Sequence, residues 1–152
     1  MKKMNDTLVY SIMAVIAGLL IPFQAAMNAG LGKNLQSPYW SSQIVFVVAF
    51  LFMLLYIGII RSPLPASEQL SKPAWWMYLG GMMGAGYILL SMLAAGKLGI
   101  GNVTVLILMG QMFAALFIDQ FGLLNSPIHA INWQRIAGTL MLVGGVYLVN
   151  KY

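Results

Sequence analysis

The long apolar stretches of this chain hold few hydrogen-bonding side chains, and most of those are uncharged: Gln24 and Asn28 early on, Tyr87 and Ser91 midway, and Gln111 beyond. Gln24 and Asn28 are four residues apart, so on a helix they share one face. They follow Pro22, which has no N–H for the carbonyl of Gly18 and whose ring pushes that carbonyl aside. A helix is expected to kink at Pro22 and leave an acceptor free. Carboxamides beside a loosened backbone suit hydrogen-bonded capture of a polar solute. They equally suit the bonding of one helix to another, although polar groups within a membrane are costly and tend to mark function. Thr104, Gln111, Ala115 and Ile118 fall along one stripe at helical spacing. Gln111 is therefore expected either to face the same cavity as Gln24 and Asn28 or to bridge two helices. Tyr87 and Ser91, again four apart, are candidates to line a path.

Catalytic chemistry has little to work with. The chain has one His (His129), three acids (Asp6, Glu68 and Asp119) and no Cys. None of these forms a ligand cluster or a triad-like spacing, so no enzyme activity, metal or cofactor is expected. Asp119 stands about 27 Å along a helix from Gly101 at ~1.5 Å per residue. That puts it near a membrane interface, where Arg135 begins the next helix. An interfacial Asp119–Arg135 ion pair is the expected role, rather than a proton carrier.

The elements that must position these groups follow from composition. The chain is 61% hydrophobic and 7% charged, whereas a soluble domain carries about a quarter charged residues. An integral membrane protein is implied. Each apolar run is long enough to satisfy its own backbone hydrogen bonds as a helix, and no barrel-type alternation is visible. The reading is an all-α, polytopic membrane protein: one membrane domain over 1–152, with five transmembrane helices at about 7–31, 38–60, 74–95, 101–121 and 132–150. A Pro- and Ser-rich loop is expected from Arg61 to Pro73, and a tight link at Gly96, Lys97, Leu98 and Gly99. Trp40, Trp75, Trp76 and Trp133 lie near helix starts, as interfacial indoles do. Lys2, Lys3 and the apolar run that follows resemble a secretory signal, but with four more spans behind it a retained first helix is the expectation.

The net charge of +5 sits at segment ends and not in a patch, which points to lipid headgroups and not nucleic acid. Lys2, Lys3, Arg61, Lys72 and Arg135 fall on the N-terminal side, and Lys33, Lys97 and Lys151 on the other. The bias leans to a cytoplasmic N-terminus but is small enough to suit dual topology. Gly80 with Gly84, and Gly138 with Gly145, offer small-residue faces for close helix packing, within one subunit or between subunits.

Several stretches carry a family resemblance: Pro22-Phe23-Gln24 through Asn28 and Leu31, Gly110-Gln111, Asp119-Gln120-Phe121-Gly122, and Arg135 with Gly138 and Gly145. In these the sequence resembles the drug/metabolite transporter superfamily, and within it the small YdcZ-like branch of five-helix proteins. The acid closing the fourth helix is similar in position to a Glu of the larger ten-helix relatives. The resemblance implies a multi-pass transporter of the bacterial inner membrane that forms half of a ten-helix inverted-repeat bundle. It also implies dimerisation, as an antiparallel homodimer or as a heterodimer with a paralogue. The small multidrug-resistance relatives use a Glu in the first helix for cation–proton exchange. Here that helix has no acid beyond Asp6 at its entrance, which favours a neutral or anionic solute, or uncoupled movement. The expected function is alternating-access transport of a small polar or amphipathic solute. The alternative is a non-transporting assembly or accessory subunit packed against a partner membrane protein.

Overall fold

A computed structural model describes the backbone of residues 2–152 and the side chains of residues 6–152; Lys2 and Lys3 of the charge count thus lie outside the described side chains. The described residues form helices α1 (Lys2–Asn34), α2 (Pro38–Ile60), α3 (Ser67–Ser71), α4 (Gly80–Leu98), α5 (Ile100–Phe121) and α6 (Trp133–Lys151), with no strand among them. A 3-10 turn, Trp75–Leu79, leads into α4, and another, Leu123–Asn125, follows α5. Among the described residues, four helical stretches are long and apolar enough to cross a membrane: Asp6–Asn34, Pro38–Ile60, Trp75–Leu98 and Ile100–Phe121. The fifth expected span is a helix of 19 residues whose ends carry Gln134, Arg135, Asn150 and Lys151, which shortens its apolar stretch.

Several limits differ from the expectations. α1 runs through Pro22, as expected, and on to Asn34, beyond the expected end at Leu31. The link before α5 is shorter than four residues: Gly96, Lys97 and Leu98 continue α4. Gly99 alone, at φ 81°, breaks the helix, a conformation glycine adopts without a Cβ penalty. The loop from Arg61 to Pro73 contains α3, and Tyr78 returns to it by donating from its hydroxyl to the carbonyl of Leu70.

The helix ends explain themselves locally. α1 closes with Gln36 in the left-handed region, the Ser37 N–H bonding the Gly32 carbonyl and the Gln36 N–H bonding that of Lys33. These are the paired bonds of a Schellman stop. Ser37 then caps α2 by accepting from the Trp40 N–H, with Pro38 at the first helical position. Left-handed Arg61 ends α2 with the same pair of bonds, its N–H to the Gly58 carbonyl and the Ser62 N–H to that of Ile57.

The chain divides into two compact units, one of residues 1–23 and 97–152, the other of residues 24–96. In the first, α5 packs along α6, and Val103, Thr139 and Val146 are buried. In the second, the buried residues are Asn28, Ser41, Ile88, Ser91, Met92 and Ala95. Large apolar side chains elsewhere are exposed, Val47, Phe50 and Leu55 among them, as hydrocarbon-facing residues are.

Candidate solute-binding site

The second unit holds a small polar core where α1, α2 and α4 meet. Ser41 is fully buried, and its hydroxyl donates to the backbone carbonyl of Asn28 at 3.2 Å. Gly32, one turn on from Asn28, admits Met92: a Cβ built on Gly32 would lie 2.9 Å from Met92 Sδ and 3.7 Å from Pro38 Cα. Ile88, Ser91, Met92 and Ala95 repeat at helical spacing, so α4 buries one face. Ser91 spends its hydroxyl proton on the carbonyl of Ile88, 2.9 Å away.

Asn28 itself is 8% exposed, yet within the described residues its carboxamide has no hydrogen-bond partner. No described side-chain nitrogen or oxygen is both sealed from its surroundings and unpartnered. The amide of Asn28 therefore keeps access to the space beside it. A deeply placed amide with unused donors and acceptor costs stability, which makes it a candidate to receive a solute.

A groove of about 240 Å³ between α2 and α4 adds uncharged polar groups to this unit. Tyr39, Ser42, Gln43 and Phe46 line it from α2, and Ala85, Gly86 and Leu89 from α4. Its volume is just below the roughly 300–1,000 Å³ of small-molecule pockets. The Ser42 hydroxyl donates to the carbonyl of Pro38 at 2.9 Å, leaving its lone pairs for a ligand.

In the first unit, the segment after α5 is tied down at both ends. Arg135 Nη1 lies 3.1 Å from Asp119 Oδ2 and also donates to the His129 carbonyl at 3.2 Å. The Asp119 carbonyl accepts from the His129 N–H, Gln120 Oε1 from the Ile131 N–H, and Asn132 caps α6 through the Arg135 N–H. Gly122 is left-handed at φ 59°, and a Cβ there would lie 2.7 Å from Ile128 Cγ1. Below this segment is a larger groove, of about 350 Å³, lined by Phe113, Leu116, Phe117, Ile131, Ile136, Thr139 and Leu140. It is almost wholly apolar and offers a polar solute little beyond the Thr139 hydroxyl, which already donates to the Arg135 carbonyl. Volume alone would favour this groove; hydrogen-bonding capacity favours the second unit.

Asn28 and Ser91 are thus both buried in the second unit, where Tyr87 is half-buried and Gln24 exposed. Gln111 is exposed on α5 in the first unit. A Cβ added at Gly80, Gly84, Gly138 or Gly145 would meet nothing within 4 Å, so these small-residue faces stand open. The glycines that are closely approached are Gly32 and Gly122. Ser41, Ser42 and Gln43 were not among the expected site residues. Their signal is the run Ser41-Ser42-Gln43 just inside an otherwise apolar helix. Among the described residues, no group of three or more His, Cys, Asp or Glu could hold a metal.

A family model described as "Putative inner membrane exporter, YdcZ" matches residues 9–148. The chain is also similar to "Inner membrane protein YdcZ" of Escherichia coli (strain K12), 26% identical over 84 residues, which are 55% of this chain and 56% of that relative. The chain thus spans little more than half the length of that relative. No solved structure matches the chain.

Proposed function

The chain belongs to the YdcZ inner membrane exporter family, and we propose that it exports a small polar or amphipathic solute by alternating access as an antiparallel dimer. It is a multi-pass protein of the inner membrane, from a family of membrane exporters rather than enzymes.

The observation that carries the reading is the buried, unpaired carboxamide of Asn28, on a residue whose backbone carbonyl accepts from the buried Ser41 hydroxyl. Helix–helix bonding would have used up that amide. Tyr87 and Ser91 lie on the same unit and extend the surface a solute would meet. Gln24 and Gln111 are exposed on apolar helices, and an amide facing hydrocarbon costs several kcal/mol, so each calls for a polar cover (roughly 2–7 kcal/mol for an unbonded amide). A partner subunit or a water-filled vestibule supplies that cover. The open faces at Gly80, Gly84, Gly138 and Gly145 favour a partner. A second copy in inverted orientation, or an inverted paralogue, supplies a five-helix complement to a chain with near-balanced flanking charge.

Solute flux into proteoliposomes tests the assignment. Flux by the natural protein, lost in the Gln24→Ala, Asn28→Ala, Gln111→Ala triple variant, is the expected result; flux that survives the triple change removes these residues from the site. The same open glycine faces also suit an accessory subunit. That reading gains if a stoichiometric membrane partner co-purifies and no solute moves. Reporters fused to the C-terminus are expected on both sides of the membrane; a single strict orientation excludes the antiparallel homodimer while leaving a paralogue heterodimer.

A further inference from the structure

We infer that the solute is electrically neutral, presents a carboxamide- or urea-like donor–acceptor pair to Asn28, and moves without proton coupling; this rests on the transport reading above. The evidence is the chemistry of every polar group the structure gathers in the second unit. At its core stand one unpaired carboxamide and two hydroxyls, those of Ser41 and Ser91. In the α2–α4 groove stand a phenol, a hydroxyl and a second carboxamide, Gln43. None bears a charge.

The charged residues of this unit lie elsewhere. Lys33 is in the last turn of α1, while Arg61, Glu68 and Lys72 belong to the connection between α2 and α4; Lys97, in the last turn of α4, falls in the first unit. Within residues 24–96, the titratable groups left are the phenols of Tyr39 and Tyr56 on α2, Tyr78 on the turn before α4 and Tyr87 on α4. In the first unit, the acid at the end of α5, Asp119, is already engaged by Arg135 at 3.1 Å.

A charged solute in such surroundings would have no counter-charge, and an unpaired ion away from water costs several kcal/mol. A neutral amide has no such penalty. The carboxamide of Asn28 offers two N–H donors and a carbonyl acceptor, so it can form a reciprocal pair of hydrogen bonds with a second amide or a urea. With no Asp, Glu, His, Lys or Arg at the site, the carrier lacks the acid or base on which a coupled proton rides.

The test is flux of radiolabelled urea, with guanidinium as its charged isostere, into liposomes holding the full-length protein, with internal pyranine reporting protons. Urea is expected to enter at least about tenfold faster than guanidinium, the discrimination of one buried charge or hydrogen-bond pair. Its rate is expected to stay the same under an imposed pH gradient or membrane potential. Asn28→Leu is expected to lower urea flux by about tenfold, and Asn28→Gln, which keeps the amide, to restore part of it. Circular dichroism of each variant separates lost flux from lost folding. Preferential guanidinium entry, or urea accumulation driven by a pH gradient, overturns neutrality or uncoupled movement and leaves the transport reading standing. Movement of neither probe overturns this inference, and failure of a wider solute panel as well removes the transport reading.

Discussion

Gly32→Ala tests the junction on which the candidate site depends. The added methyl would stand 2.9 Å from Met92 Sδ and 3.6 Å from its Cγ, where an ordinary contact begins at 3.4 Å. The sulfur must therefore retreat by about 0.5 Å (3.4 minus 2.9), and Met92 is only 5% exposed, with little room to move. Overpacking of this kind costs about 1–3 kcal/mol. Against it stands the better helix propensity of Ala, about 0.8–1 kcal/mol. Because a methionine tip is flexible, a net loss of about 1 kcal/mol is expected. Met92→Ala alone opens a cavity and is expected to cost about 2–3 kcal/mol, the low end of core truncations. In the double variant the new methyl meets no sulfur. Its loss is expected to fall short of the sum of the single changes by about 1 kcal/mol, within the usual coupling range for contacting residues. SDS-driven unfolding in mixed micelles, followed by far-UV circular dichroism, measures all four proteins. Additivity within about 0.3 kcal/mol refutes the contact.

Other outcomes follow from single sites. Asn28→Leu is expected to hold or raise stability by about 1 kcal/mol in the same unfolding assay, because it removes an amide with no partner. A large loss there would mean that the amide is structural. Gly122→Ala is expected to destabilise by about 1–3 kcal/mol, since it combines a left-handed backbone with a Cβ 2.7 Å from Ile128 Cγ1; recovery on adding Ile128→Ala checks the steric part. Arg135→Ala is expected to cost about 0.2–1 kcal/mol, as the pair is about one-third exposed. Faster proteolysis between 122 and 132 would accompany it, because the guanidinium also holds the His129 carbonyl. Gly84→Ala adds a methyl where the chain has open space, so it is expected to leave subunit folding intact while lowering the dimer fraction in cross-linking. An unchanged dimer fraction argues against that face as the interface.

Much of the architecture was readable from periodicity-free signals. Pro38 marks the start of α2 to the residue, because its fixed φ suits the first helical position. Asp119 and Arg135 were legible as neighbours because Asp119 stands near the end of α5 and Arg135 near the start of α6. Gly96 does not mark the link, because packing and backbone bonding carry α4 through it, and of the two glycines Gly99 takes the positive φ. Spacing shows that Gly80 and Gly84 permit close approach, within a subunit or between subunits; within this chain nothing stands within 4 Å of a Cβ at either.

Alone, the residue order determined that the chain lives in lipid, that it is helical, and that its polar groups are uncharged amides and hydroxyls at particular depths. These follow from local physics: a backbone in hydrocarbon must bond to itself. Only the tertiary structure decided that Asn28 is buried and unpaired while Gln24 is exposed, and that Gly32 receives Met92. It likewise chose Ser41, fully buried, to hold the Asn28 backbone. Burial and pairing depend on which helices come together and at what rotation, and uniformly apolar faces in lipid leave both to side-chain packing.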